Sequence, residues 1–266
     1  MALAAWAGRA GQVGLRLPAV VDRRALLGAR AHRLAEVLGR HQARQLWPHV
    51  REGRRLTILF VAMHWRRDLS QDALWLTGLL CRLLPTEPEP LGLLALMRLH
   101  LARADARFTD TGDLVRLADQ DRSLWDHDAI QAAVTLIERA AAMHRPGPYQ
   151  VEAAIAACHA EAPSFESTDW IQVVALYDLL LEMEPSPVVR LNRALAIWRV
   201  AGAQAALREL DRLAAELDGY HIYHAARGEL LSEMGRDEQA RAARLQAHDL
   251  THNQAERALL RQRLLL

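Results

Sequence analysis

Lysine is absent from this sequence of 266 residues, so all 33 basic side chains are arginine. No single site requires that everywhere, and we read it as coding bias. Cysteine is scarce as well. Cys81 and Cys158 are too few and too far apart for a disulfide framework, which favours a reducing compartment and makes the cytoplasm the expected location. Arginines and acids interrupt every apolar run before it reaches the roughly 18 residues a membrane-spanning helix needs, so no membrane association is expected. The opening MALAAWAGRAGQVGLRLP has no charged stretch ahead of an apolar core, and Arg9 and Arg16 break it, so no secretion signal is expected. Strand signals are nearly missing: TILFV at 57–61 is the only compact β-like run. What is present is 51% hydrophobic and 24% charged, the composition of a folded domain, which excludes disordered and collagen-like classes.

Charge is divided unevenly along the chain. Residues 1–56 hold eleven arginines against Asp22, Glu36 and Glu52, a balance of +8, whereas residues 57–266 balance at −7. We therefore expect two parts, a basic, divergent or poorly ordered segment at 1–56 and a helical-repeat domain at 57–266. A basic segment of this kind attracts phosphates without reading sequence, and its affinity falls steeply with salt.

Helical periodicity dominates the second part. Between Trp170 and Met183, apolar side chains at Ile171, Val174, Leu176, Leu179, Leu180 and Met183 follow a period near 3.6. Pro185 closes that segment. Ser186 then reads as an N-cap with Pro187 at the first helical position, where the missing amide hydrogen costs nothing. The next helix runs to Gly202, a natural stop, and a third is expected from about Gln204 to Leu217. A repeat near 34 residues follows. Gly228, Gly235, Ala240 and Ala247 have the spacing of a tetratricopeptide unit, and Ala194, Gly202 and Ala206 repeat it one unit earlier with a one-residue slip at the turn. Small side chains let the helices of a hairpin approach closely, while leucines fill the interface with the next hairpin. AAIAACHAEAP from Ala153 and the helix after Trp170 make a further hairpin. The expected fold is all-α, stacked helical hairpins forming a tetratricopeptide-like, right-handed helical repeat.

Several longer segments carry a resemblance. LLPTEPEPLGLLALMRLHLARADARF followed by LVRLADQDRSLWD, RPGPYQVEAAIAACHA at 145–160, TDWIQVVALYDLLLEMEPSPVVRLNRALAI at 168–197, GYHIYHAARGELLSEMGR at 219–236 and NQAERALLRQRL at 253–264 occur in order. Together, from about Leu83 to Leu264, they resemble the C-terminal helical extension of an extracytoplasmic-function RNA polymerase sigma factor. The resemblance implies an all-helical, tetratricopeptide-like region that regulates or supports sigma activity through protein contacts. The expected partner is RNA polymerase or a sigma-associated regulator.

The family's promoter-reading regions lie ahead of such an extension, and they are not recognisable here. RLAEVLGRHQARQLWPHVREGRRL at 33–56 superficially follows a helix-turn-helix, with Ala35 as the small packing residue and Gly39 at the turn. Arg40 stands where an apolar residue normally packs, no Ser or Thr caps a recognition helix, and Pro48 interrupts it. Arg40, Arg44, Arg51, Arg54 and Arg55 are accordingly expected to give weak phosphate contacts rather than promoter recognition. A DNA-binding sigma factor that uses this degenerate helix-turn-helix, and a cytosolic enzyme of unrecognised type, are the alternatives.

The densest polar cluster is ADQDRSLWDHD. Asp119, Gln120, Asp121, Arg122, Trp125 and Asp126 form a candidate interaction surface, with Trp125 supplying contact area and Arg122 and the acids setting specificity. The competing reading is structural: Asp126 and Asp128 cap the following helix, and Arg122 pairs with Asp119 or Asp121. His221 with His224, His248 with His252, and Cys158 with His159 do not assemble the three or four ligands a zinc site wants. No nucleophile elbow or phosphate-cradling glycine loop occurs, so neither an enzyme activity nor a cofactor is expected. Arg193, Arg227 and Arg261 are spaced by 34 residues, but Arg227 sits beside the packed Gly228, so snorkelling is expected there rather than a ligand ladder.

Overall fold

The structure is a computed structural model that describes residues 67–264. The strand-like run at 57–61, the helix-turn-helix reading at 33–56 and the arginines Arg40, Arg44, Arg51, Arg54 and Arg55 lie outside the described residues. The described chain divides after Trp75, within helix α1 (Arg67–Leu83), and the unit from Leu76 onward holds every later element.

That unit is built from helices. They are α2 (Glu89–Leu101), α3 (His127–Ala141), α4 (Pro148–Glu161), α5 (Trp170–Met183), α6 (Pro187–Ala201), α7 (Ala203–Asp211), α8 (Ala214–Leu217), α9 (His221–Glu233), α10 (Asp237–Leu250) and α11 (Gln254–Leu264). No strand occurs among the described residues, only a single bridge between Phe108 and Leu114. Each helix packs mainly on its sequence neighbours: α2 on α3 and α4, α4 on α5, α5 on α6, α6 on α7, α7 on α9, α9 on α10 and α10 on α11. Nearest-neighbour packing of this kind is the rule of a helical repeat, and the expected all-α repeat fold is what forms.

Helix α2 is apolar nearly all round, and Leu91, Leu93, Leu94, Leu96, Met97 and Leu99 are all buried, as a helix covered on every side requires. Gly92 permits its crossing with α4, since a Cβ there would stand 2.6 Å from the backbone nitrogen of Gln150. Helix α4 has no side-chain cap of its own at Gly147. Glu89 of α2 supplies one across the interface, accepting from the amides of Tyr149 at 3.2 Å and Gln150 at 3.3 Å and from Gln150 Nε2 at 3.0 Å.

The two adjacent repeat units fall where the small residues place them. Ala194 and Ala206 are fully buried between α6 and α7, Ala240 and Ala247 are buried on α10, and the turns are made at Gly202 and Gly235 with φ of 81° and 69°. Glycine is required there because side-chain-bearing residues seldom adopt positive φ. Gly228 opens the α9–α10 contact, where a Cβ would meet Arg244 Cγ at 2.7 Å and the Ala240 carbonyl at 3.3 Å. Ser186 starts α6 in extended geometry with Pro187 in the first turn, but its hydroxyl makes no capping bond. The third expected helix needs correction. It breaks after Asp211, where the Leu213 amide bonds back three residues to Leu210 at 2.9 Å, and α8 resumes with Leu213 and Leu217 both buried. The break carries those two leucines into the core that Leu207, Leu210 and Leu230 share.

Candidate functional site

The polar cluster before α3 is organised by local capping and by one long-range arginine. Asp121 accepts from the amide of Ser123 at 2.9 Å and its hydroxyl at 2.7 Å, and this holds its carboxyl below the usual range. Asp126 caps α3 by accepting from the Ala129 amide at 2.9 Å, and Gln120 donates to the Val115 carbonyl at 3.1 Å. Asp119 pairs with Arg116 at 2.6 Å, not with Arg122.

Two expectations are corrected here. Trp125 is 3% exposed, so its ring belongs to the core and offers no contact area. Arg122 turns away from both aspartates: it lies over the Trp125 ring, 4.3 Å from the centroid, and donates to the carbonyls of His159 at 2.6 Å and Ala162 at 2.9 Å. It thereby satisfies the bare C-terminal end of α4, where a cation is electrostatically favoured. Arg103 approaches the same ring to 5.7 Å, and burial, then Arg107 and Arg122, lower its guanidinium to about 10.

A hollow of about 570 Å³ opens between α5, α6, α9 and α11, closed on one side by the segment Arg116–Ala118. Its size lies within the range of small-molecule sites. At one end the rings of Phe165 and His159 meet Trp170 edge-on, with centroids at 5.0 and 5.1 Å. The Arg199 guanidinium stands 5.2 Å from Phe165, 5.8 Å from Trp170 and 5.9 Å from Trp198, a cation held among aromatic faces. Trp198 is fixed by donating Nε1–H to Glu233 at 2.8 Å. Burial, reinforced by Arg103 and Arg122, depresses His159 to about 4, so its imidazole is neutral near pH 7. Phe165, Trp198 and Arg199 do not stand out in the sequence, where His159 is weighed only beside Cys158 as a metal ligand and Trp170 only as the start of a helix. They come from three elements and a loop, and only the fold brings them together.

The arginines at 34-residue spacing form no ladder. Arg193 pairs with Asp178 at 2.5 Å, Arg227 pairs with Asp211 and donates to the Tyr223 hydroxyl at 3.2 Å, and Arg261 reaches His248 at 3.4 Å. The first two are equivalent pairs in successive repeats, each tying a hairpin to the preceding helix. His221 contacts Glu256 at 3.0 Å, and His224 meets the Asp218 carbonyl at 2.6 Å. Among the described residues no group of three or more His, Cys, Asp or Glu side chains is arranged to hold a metal ion. None of the described helices is long and apolar enough to cross a membrane.

Comparison with known proteins adds a coarse placement. Residues 60–141 match the family of unknown function DUF6596, a domain that occurs in sigma-factor-like proteins. An uncharacterised protein of Rhizobium meliloti (strain 1021) is 47% identical over 197 residues, which cover 74% of this chain and 47% of that protein. The chain therefore spans about half the length of the curated relative it matches. No solved structure matches.

Proposed function

We propose that this chain is a sigma-factor-related protein of transcription regulation that works through contacts made by its helical-repeat domain, with RNA polymerase as the partner. The segment resemblance and the domain at 60–141 support the transcription setting. The observation that carries the contact reading is an apolar rim beside the hollow: Ile171 is 73% exposed in the first turn of α5, Val200 is 49% exposed in the last turn of α6, and Ile222 is 39% exposed on α9. Ile222 lines the hollow, and Ile171 and Val200 directly follow in sequence two further lining residues, Trp170 and Arg199, whose ring and guanidinium lie 5.8 Å apart. Exposed apolar side chains grouped beside a groove are the usual material of a docking surface.

Binding of the purified chain to core RNA polymerase, followed by light scattering or interferometry, tests this. Complex formation that is abolished by Ile171→Asp with Val200→Asp supports the reading, and failure to bind core polymerase refutes the choice of partner. In transcription assays the chain alone is expected not to direct initiation at a specific promoter. Specific initiation would favour the DNA-reading alternative.

A further inference from the structure

The charged groups on the walls of the hollow cancel one another. Two arginines, Arg116 and Arg199, and two glutamates, Glu166 and Glu229, line it. Arg116 pairs with Asp119 at 2.6 Å and stands 3.9 Å from Glu229, which also faces Arg244 at 3.4 Å. Glu166 is held below the ordinary carboxylate range by its own amide and the Ser164 side chain, and then by Arg199 and Arg122. His159 is neutral near pH 7, and burial followed by Glu152 raises the Tyr177 phenol, which stays protonated. The Trp170 Nε1 and His159 Nδ1 atoms are fully buried, so neither is offered to an occupant. An ion entering this space would leave water for apolar walls and find each wall charge already matched.

Two neutral polar groups remain open. Asn192 of α6 and Tyr177 of α5 both line the hollow, are half-buried, and make no hydrogen bond to a described residue. Neither polar end is among the sealed atoms, in contrast to the indole and imidazole nitrogens. They stand at one level of the hairpin, since each directly precedes a partner of the Asp178–Arg193 ion pair, which spans 2.5 Å. Tyr177 follows Trp170 by seven residues and Asn192 precedes Arg199 by seven, about 10 Å at the helical rise. The hollow thus has an aromatic end around Trp170 and a hydrogen-bonding end two turns away, with Val173, Leu195 and Ala196 between them. A carboxamide and a phenol both donate and accept, so their complement is an uncharged edge that does the same. We propose that the hollow binds an uncharged aromatic small molecule bearing a carboxamide-like group, with its rings along Trp170 and Val173 and that group at Asn192 and Tyr177. The proposal goes beyond the transcription reading, since it concerns the interior of the hollow rather than its rim.

Three probes that share one ring system separate the outcomes: naphthamide, methylnaphthalene, and naphthoate, which is ionised near pH 7. In equilibrium dialysis against the full chain both uncharged probes are expected to saturate one site, and naphthoate to bind at least about tenfold more weakly than naphthamide. Asn192→Leu should weaken naphthamide about threefold to tenfold, the loss of a neutral hydrogen-bonding partner, while changing methylnaphthalene by less than about twofold. Ala225→Leu, which adds volume to the α9 wall, should weaken both. Ile171→Ser should leave both unchanged, which distinguishes the hollow from the rim. Circular dichroism melts report folding, and Asn192→Ala serves if Asn192→Leu does not fold. Failure of either uncharged probe to saturate, naphthoate binding as tightly as naphthamide, equal losses of both uncharged probes in the Asn192 variants, binding untouched by Ala225→Leu, or binding removed by Ile171→Ser would each overturn the proposal.

Discussion

Arg122 covers the Trp125 ring at 4.3 Å while its guanidinium closes the end of a helix 37 residues further along the chain. The side chain joins the segment before α3 to the terminus of α4. Arg122→Met keeps much of the stem but removes two hydrogen bonds from a charged donor and a cation–π contact. The expected destabilisation is about 2–4 kcal/mol. Thermal or denaturant melts check it, and Arg122→Lys should recover only part of the loss, because a lysine can donate to the carbonyls but lacks the planar guanidinium that stacks on the Trp125 ring.

Glycine substitutions should rank by what the new methyl group meets. At Gly92 the nearest atoms belong to the Gln150 backbone, at 2.6 and 2.9 Å, so a helix must shift; at Gly228 the nearest atom belongs to the Arg244 side chain. Gly92→Ala is therefore expected to cost more than Gly228→Ala, and Gly228→Leu to cost about 1–3 kcal/mol by overpacking. Gly219, with nothing within 4 Å of a built Cβ, is the control. Unchanged melts for Gly228→Leu would mean that α9 and α10 do not cross as described.

Much of the repeat was legible because its signals are short-range. Pro187 and Gly202 bound α6 within its own sequence, and the 34-residue offset of Ala194, Ala206, Gly228 and Ala240 follows from close helix contact. Asp126 was legible as a cap because its acceptor bond spans three residues. Arg122 was not, because its two partners lie 37 and 40 residues away, and neither was the break after Asp211, which depends on where Leu213 and Leu217 find their core. The hollow escaped for the same reason: nothing local connects His159, Trp170 and Arg199.

His159 makes stability depend on pH. Its folded value of about 4 lies below the ordinary histidine value of 6.5, so the unfolded chain takes up the proton first and stability falls as pH drops from about 6.5 toward 4. A shift of this size corresponds to a loss on the order of 3 kcal/mol once both states are protonated. Melts of the native chain and His159→Gln between pH 7 and pH 4.5 should converge at the acidic end, where the native imidazole becomes the liability. Parallel pH profiles would show that another group carries the acid sensitivity.

The repeated ion pairs should contribute little. Asp178 and Asp211 are half exposed, with side-chain accessibilities of 52% and 54%, and pairs in such settings are typically worth about 0–1 kcal/mol because solvent screens them. Asp178→Asn and Asp211→Asn are each expected to lower stability by less than about 1 kcal/mol in melts at low salt, with the difference shrinking as salt rises.

Both ends of α4 are completed by residues outside it, Glu89 at the start and Arg122 at the finish, and both fall inside the 60–141 stretch that matches the sequence family. The dependence also runs the other way. Helix α2 is buried on all sides only because α4 covers one of them. A polypeptide cut at residue 141 would bare the Gly92 side of α2 and leave Glu89 and Arg122 with nothing to cap. The family match and cooperativity thus draw different borders through this chain: the matched stretch ends at residue 141, whereas the helices that complete one another extend at least through residue 162.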